Sequence, residues 1–216
     1  MTSKIKLLIP ARRNSKGLPF KNRLLFEHTI NSIPTEYLKD LLVSTDDEVL
    51  IERCEFIGLN VSVRPDNLSL DETSTKEVIQ YHIENNDISL DDTVIMLYLT
   101  YPERTWSDIK EAYKFFTEHN AKSLLCKKNI KSTHPYLYMF ELDNNKGTQL
   151  VGHNLYRRQD YPSVFEISHY VCIFNVNEFT NLNNNLYNDE TFFFKIDDVV
   201  DVDTKTDLDG VFCKKS

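Results

Sequence analysis

Short apolar runs and helical patterns take turns through the first half of the chain, and that alternation restricts the fold more than any other feature. The runs are Ile5 to Ile9, Leu41 to Ser44, Val61 to Val63 and Val94 to Leu99. They are too short for helices and too continuous for strands wetted on one face, which is the pattern of a parallel sheet covered by helices on both sides. Val94 to Leu99, nearly unbroken, reads as a central buried strand. Capping boxes at Thr45 with Glu48 and at Ser74 with Glu77 predict two helix starts. Ile109, Ala112, Tyr113 and Phe116 share one face of a helix near Asp108 to His119 and are assigned to the core.

After Asn129 the chain becomes strand-rich and aromatic, with Leu137 to Leu142, Phe165 to Val176 and Thr191 to Ile196 separated by polar turns. No linker, repeat or charge block marks a second domain. The expectation is one α/β domain over residues 1–216, with an antiparallel excursion at about Lys131 to Ser168 that returns to the main sheet.

Bulk properties exclude several functions. With 41% hydrophobic and 27% charged residues, the 216-residue chain has the composition of a globular domain able to bury a full core. The longest apolar run is far too short to cross a bilayer, and the first ten residues lack a hydrophobic signal core, so no membrane partner and a cytoplasmic location are expected. Cys54, Cys126, Cys172 and Cys213 form no C-x-x-C pair and are read as buried apolar residues. The histidines show no zinc spacing, and His134, His153 and His169 are assigned no metal. A net charge of −8 argues against a nucleic-acid or anionic-membrane binder. Positive charge is nevertheless gathered at Arg12 to Arg23 and at Arg157 and Arg158, as in a protein that binds small anions.

The first of those clusters lies in the loop leaving the first strand, IPARRNSKGLPFKN, ending at Asn22. It is not a Walker A loop, and with Gly17 as its only glycine it is not a dinucleotide fingerprint. Arg12, Asn14, Ser15, Lys16, Lys21 and Asn22, with successive loop amides, suit a phosphorylated ligand. Lys21 follows a restrained Pro-Phe pair and can deliver a point charge. Near the other end, Asp201-Val-Asp203 places two carboxylates on one side of an extended segment, an arrangement that calls for a cation between them and fits magnesium. Arg157 and Arg158 are alternatives for pairing a carboxylate, the other one facing solvent or pairing with Asp160.

The spacing A-R-x-N-S-K-G-L-P-x-K-N resembles the nucleotide-binding signature of the acylneuraminate cytidylyltransferases. Four further segments carry the resemblance: Leu41 to Thr75 with its S-T-D turn and R-P-x-x-L-x-x-D element, Leu97 to Thr105, Tyr156 to Pro162 with R-R-Q-D-x-P, and Val199 to Gly210 with D-V-D-T. The resemblance implies a Rossmann-like fold, a homodimer joined through the excursion, and transfer of CMP from CTP to an acidic sugar of the nonulosonic type with magnesium as cofactor. It implies that Ala11, Arg12, Asn14, Ser15, Lys16, Gly17, Lys21 and Asn22 form the phosphate loop, and that Arg64, Thr73, Ser74 and Thr75 line the base and ribose end. Asp201 and Asp203 become metal ligands. Tyr98, Arg158 and Gln159 fall on the sugar side, with Lys21, Asp203 and Arg158 carrying the chemistry.

Three departures from the family pattern are visible. The loop after Asn22 is shortened, Tyr98 and Tyr101-Pro102 stand where glutamine and a Ser-Pro pair are usual, and Ser168 to Cys172 replaces N-G-A-I-Y. All three fall near the sugar side, while the nucleotide and metal motifs are intact. A 3-deoxy-manno-octulosonate cytidylyltransferase is the alternative within the fold, although its P-A-R-x-x-S-x-R-L-P loop fits less well. A non-catalytic nucleotide-binding relative is the alternative outside enzymology, favoured by the altered sugar side and disfavoured by the two intact aspartates.

Overall fold

The computed structural model describes residues 4–130, 133–142 and 146–213. Nine strands and five α-helices follow one another as β1 (Ile5–Pro10), α1 (Lys21–Ser32), β2 (Leu41–Thr45), α2 (Glu48–Ile57), β3 (Asn60–Val63), α3 (Thr75–Asn85), β4 (Thr93–Met96), α4 (Trp106–Glu118), β5 (Ser123–Asn129), β6 (Met139–Leu142), β7 (Lys146–Gln149), β8 (Phe165–Asn175), β9 (Phe192–Lys195) and α5 (Lys205–Cys213). Seven strands form one sheet in the order β3-β2-β1-β4-β8-β5-β9. Only β8 runs antiparallel to its neighbours β4 and β5. The strand order reverses between β1 and β4, so the crevice beyond their carboxyl ends is the place where an open α/β sheet binds ligands.

Two apolar clusters pack on the two faces of the sheet, one containing Leu7, Ile9, Ile95 and Val202 and the other Leu8, Val94, Met96 and Phe174. Successive strand residues feed opposite clusters, which explains why these strands read as unbroken apolar runs. The Ser74–Glu77 capping box is present, and Thr105 with Asp108 forms a second one that starts α4 two residues earlier than its periodicity suggests. Ile109, Ala112 and Phe116 are buried, with Tyr113 packed against them.

Three expectations need correction. The cap of α2 is Asp47, whose Oδ1 accepts the Val49 amide at 3.0 Å, and Thr45 instead donates to the Ala11 carbonyl at 2.6 Å. An aspartate two residues closer to the helix takes the cap, which releases the threonine for a tertiary bond. The strand expected at Val94 to Leu99 leaves its ladder after Met96, with one further bond from the Leu97 amide to the Leu8 carbonyl. The excursion is shorter than expected, because β8 already pairs with β5 from Phe165 opposite Asn129. Its expected first residue, Lys131, lies outside the described residues. Cys54, Cys126 and Cys172 are buried thiols, as read from the sequence, and the Cys213 side chain lies outside the description.

Arg104 shows why the chain turns away after β4. Its guanidinium is buried and donates to the Tyr170 carbonyl at 2.7 Å and the Tyr98 carbonyl at 2.8 Å, tying the β4 exit to β8. Burial pushes its pKa down to about 10. Hydrogen bonds from a charged donor contribute about 1.5–3 kcal/mol each, so Arg104→Met, which leaves both carbonyls without that donor, is expected to lower unfolding stability by about 2 kcal/mol or more. Denaturant titration checks this, and an unchanged midpoint would contradict the bracing role.

Candidate functional site

The loop from Ala11 to Phe20 and the start of α1 are pinned by the last two residues of β2 and the two that follow. The Ser44 carbonyl accepts the Ala11 amide (2.8 Å), Thr45 holds the Ala11 carbonyl, Asp46 Oδ1 accepts the Arg13 amide (2.7 Å), and Asp47 Oδ2 lies 2.7 Å from Arg23 Nε. The last pair raises the Arg23 pKa. Asn22 closes the loop from within by donating to the Arg12 carbonyl at 2.7 Å. Phe20 precedes α1 with φ of 54°, a left-handed conformation unusual for a bulky residue, and its ring lies under the Arg23 guanidinium at 4.2 Å.

Three cations here, Arg12, Lys16 and Lys21, each have a carboxylate. Arg12 donates to the Asn14 and Leu70 carbonyls and pairs with Asp71 Oδ1 at 2.7 Å, while Lys16 reaches Asp71 Oδ2 at 3.4 Å. Lys21, with its side chain only 10% exposed, places Nζ 2.7 Å from Asp203 Oδ1. Loop and tail also touch through backbone: a Cβ on Gly17 would lie 2.3 Å from the Asp203 carbonyl oxygen, so only glycine fits there.

The D-V-D segment is not a strand, yet the expected alternation holds. Val202 is fully buried and its amide bonds the Thr100 carbonyl at 2.8 Å, while Asp201 and Asp203 flank it and line the same cavity. Tyr101 donates its phenol to Asp201 Oδ2 at 2.8 Å. Asp207 accepts the Asp203 and Thr204 amides and the Thr204 hydroxyl, which fixes the backbone at Asp203 and holds the Asp207 pKa below its usual value. Tyr98 donates to Thr75 Oγ1 at 3.0 Å, and burial lifts the pKa of both Tyr98 and Tyr101.

These residues enclose a cleft of two adjoining lobes at the carboxyl ends of the strands. The first, of about 270 Å³, is lined by Arg12, Asn14, Ser15, Asn22, Arg64, Asp71, Thr73 and Thr75 among others. The second, of about 290 Å³, is lined by Thr100, Tyr101, His169, Asp201 and Asp203. Lys21, Tyr98 and Thr100 border both lobes. Ala11 is buried behind the first lobe. A larger cavity of about 660 Å³ lies at the opposite, amino ends of the strands, far from the paired loop and tail.

Among the predicted site residues, Ala11, Lys16 and Gly17 of the loop, and Arg158 and Gln159, line neither lobe. Arg158 and Gln159 sit on an exposed 3-10 turn, and Arg157 is the arginine that pairs with Asp160, at 2.8 and 3.0 Å. Conversely, Asp71 and His169 line the cleft without having been assigned a role. His169 arrives there through an irregularity in β8, whose register with β5 slips between Leu124 and Cys126, partnered by Ile173 and Ser168. Its ring meets Tyr98 edge-on at 5.7 Å. His134, by contrast, bonds the Pro162 carbonyl and the Tyr136 amide, a structural role. Among the described residues, no group of three or more His, Cys, Asp or Glu side chains is placed to hold a metal ion.

A family model described as cytidylyltransferase matches residues 7–208. The chain is 28% identical over 213 residues to the N-acylneuraminate cytidylyltransferase of Streptococcus agalactiae serotype V, covering 93% of this chain and 51% of that protein. It therefore spans about half the length of that relative. It is 29% identical over 170 residues to the pseudaminic acid cytidylyltransferase of Campylobacter jejuni, covering 73% of this chain and 72% of the other. Among solved structures, the CMP:2-keto-3-deoxy-manno-octonic acid synthetase complexed with CTP superposes with a TM-score of 0.71 at 14% identity, over 99% of this chain and 98% of that one. At that identity the likeness speaks for the fold alone.

The Gly17 contact generates a direct test. Gly17→Ala must push the loop away from the Asp203 backbone, an overpacking that costs about 1–3 kcal/mol. Gly152→Ala, where a Cβ meets nothing within 4 Å, should change stability by less than about 0.5 kcal/mol. Thermal unfolding of the two variants checks the contrast, and equal midpoints would mean that loop and tail do not touch.

Proposed function

The chain belongs to the cytidylyltransferase family, and from that premise we propose that it transfers CMP from CTP to an acidic nonulosonic-type sugar, releasing pyrophosphate. The observation that carries the proposal is the 2.7 Å contact of Lys21 with Asp203 at the junction of the two lobes, which sets a phosphate-binding cation beside a carboxylate pair. In this reading the first lobe takes the nucleotide. Arg12, Asn14, Ser15, Lys16, Lys21, Asn22 and the amides around Gly17 meet the triphosphate, and Arg64, Thr73 and Thr75 meet the ribose and base. Asp71 then yields Arg12 and Lys16 to phosphate oxygens, exchanging one anion for another.

Asp201 and Asp203 suit magnesium, a hard ion that takes one or two carboxylates and completes its shell with phosphate and water oxygens, and their convergence on one cavity fits that donor set. When bound, the ion supplies charge neutralisation for the phosphates. The chain's own residues do the rest. A sugar hydroxyl held in the second lobe attacks the α-phosphorus, a new O–P bond forms as the bond to the pyrophosphate oxygen breaks, and Lys21 stabilises the charge that moves onto the phosphates. Asp203 Oδ2, the oxygen not held by Lys21, serves the hydroxyl either as metal ligand, its proton then passing to solvent, or as acceptor of that proton.

The lining of the second lobe bears on the acceptor. Both tyrosine hydroxyls are engaged, Tyr98 with Thr75 and Tyr101 with Asp201, so Tyr98 offers ring surface where a relative with glutamine would offer hydrogen bonds. Such a pocket favours a sugar with fewer hydroxyls over N-acetylneuraminate. Arg158 lines neither lobe of its own cleft, and we assign it to the acceptor carboxylate in the cleft of a partner subunit. The excursion supports that assembly. Met139 and Tyr156 are 69% and 96% exposed, with Tyr138, Phe140 and Leu142 beside them, an apolar surface of the kind that a two-fold interface covers. Tyr136 is an exception, since it already stacks on His153 at 4.2 Å within the chain.

The activity is tested by pyrophosphate release from CTP and magnesium with sialic, legionaminic, pseudaminic and octulosonic acids. One of these is expected to turn over, with kcat/KM lower for N-acetylneuraminate than for a deoxygenated sugar, and Asp203→Ala should lose about a hundredfold or more without unfolding. Release with none of them, or normal turnover in Asp203→Ala, would contradict the reading. The assembly is tested by light scattering at micromolar concentration, where about twice the 25.3 kDa chain mass is expected and a monomer across dilution would refute it.

A further inference from the structure

Arg64 is a buried cation without an acidic partner. The residue is 7% exposed, and among the described residues no carboxylate lies within ion-pairing distance of it. Asp46 acts on it only through space, while Arg12 opposes its charge. Its contacts are instead to one residue, Nε to Ser44 Oγ at 2.8 Å and Nη2 to the Ser44 carbonyl at 3.3 Å. A guanidinium so poorly compensated is costly to hold unless something else fixes its direction.

That fixing comes from the far side of the same hydroxyl. His82, on α3 and fully buried, places Nε2 2.5 Å from Ser44 Oγ. Arg64 Nε can only donate, so Ser44 Oγ accepts there, and the Asn86 amide nitrogen, which donates to the His82 carbonyl, also lies 3.4 Å from His82 Nδ1, so Nδ1 is the unprotonated nitrogen and Nε2 donates to the second lone pair of Ser44 Oγ. Burial and the neighbouring Arg64 charge hold the His82 pKa near 4, consistent with a neutral ring. Ser and His within hydrogen-bond reach invite reading as a nucleophile and its base. Here the hydroxyl is turned inward between a guanidinium and a buried imidazole, and neither Ser44 nor His82 lines the cleft. The line Arg64–Ser44–His82 runs from the wall of the first lobe into the protein.

We propose that His82 is a positioning residue for nucleotide recognition, acting through the Ser44 hydroxyl to hold the Arg64 guanidinium toward the ribose and base end of the first lobe. This rests on the reading of that lobe as the nucleotide site. Helix α3 is thereby committed to the cleft twice, once at its start through Thr75 and Tyr98, and once through His82. With an apolar side chain at position 82 the Ser44 hydroxyl turns freely and Arg64 loses the directed acceptor that orients it. The phosphate end, held by Arg12 and Lys21, is untouched.

Titration calorimetry with CTP and with inorganic tripolyphosphate separates the two ends. His82→Leu is expected to raise the CTP Kd about tenfold while leaving the tripolyphosphate Kd within about twofold, and His82→Gln, whose amide nitrogen can donate to Ser44 Oγ, should recover most of the loss. Ser44→Ala should repeat the selective loss if His82→Leu does not fold. Equal weakening of both ligands, or no weakening of CTP, would overturn the relay. Arg64→Ala distinguishes the failures: if it leaves CTP affinity unchanged, the placement of Arg64 at the nucleotide is wrong and the relay falls with it. If Arg64→Ala weakens CTP but neither His82→Leu nor Ser44→Ala does, the placement stands and the relay alone is wrong.

Discussion

The contact between Lys21 and Asp203 joins residues 182 positions apart, and much of the structure is arranged to permit it. The ammonium is almost buried while the carboxylate faces the cleft, so the pair is held by its setting more than by its own attraction, which at an exposed site contributes little. The segment Ser44 to Asp47 pins the loop from below, Gly17 lets the Asp203 backbone lie against it, Val202 anchors the tail in the core, and Asp207 fixes the tail from the start of α5. The same design recurs at Arg12 and Lys16 with Asp71, and at Arg23 with Asp47. An acidic protein thus holds a cluster of cations through its own carboxylates. A bound anion would replace a carboxylate instead of meeting a bare charge, which moderates affinity and favours ligands carrying several charges.

Much of this was legible in the sequence because periodicity and local charge report on burial. The apolar runs became β1 to β4, the Ser74 box became the start of α3, and the basic loop and D-V-D segment met although nothing in the sequence measures the distance between them. What failed were choices among neighbours. Thr45 and Asp47 both can cap a helix, and only the fold shows that Thr45 is needed by Ala11. Val94 to Leu99 is apolar throughout, but its last residues are buried around the Arg104 brace and not in the ladder. Arg158 matched a motif and lies outside the cleft of its own chain, because spacing alone does not say on which surface of the fold a matched arginine ends.

Residues carried by irregular backbone were the least legible. His169 enters the cleft because β8 slips in register against β5, and a slip of that kind leaves no periodic trace. Tyr170, beside it, supplies the carbonyl that Arg104 grips and donates its hydroxyl to Asp108 at 2.7 Å, in the cap of α4. The bulge therefore couples the second lobe to the packing of α4. His82 was invisible for another reason: a buried histidine on an otherwise apolar helix face looks like core, and only the position of Ser44 and Arg64 gives it work.

The most direct measurement is a crystal structure of the protein grown with CTP and manganese, the metal being located by its anomalous signal. The account predicts the triphosphate across Arg12 and Lys21, with Asp71 released, and the metal bound by Asp201 and Asp203 at the junction of the two lobes. Nucleotide found in the larger cavity at the amino ends of the strands, or a metal held away from both aspartates, would contradict it.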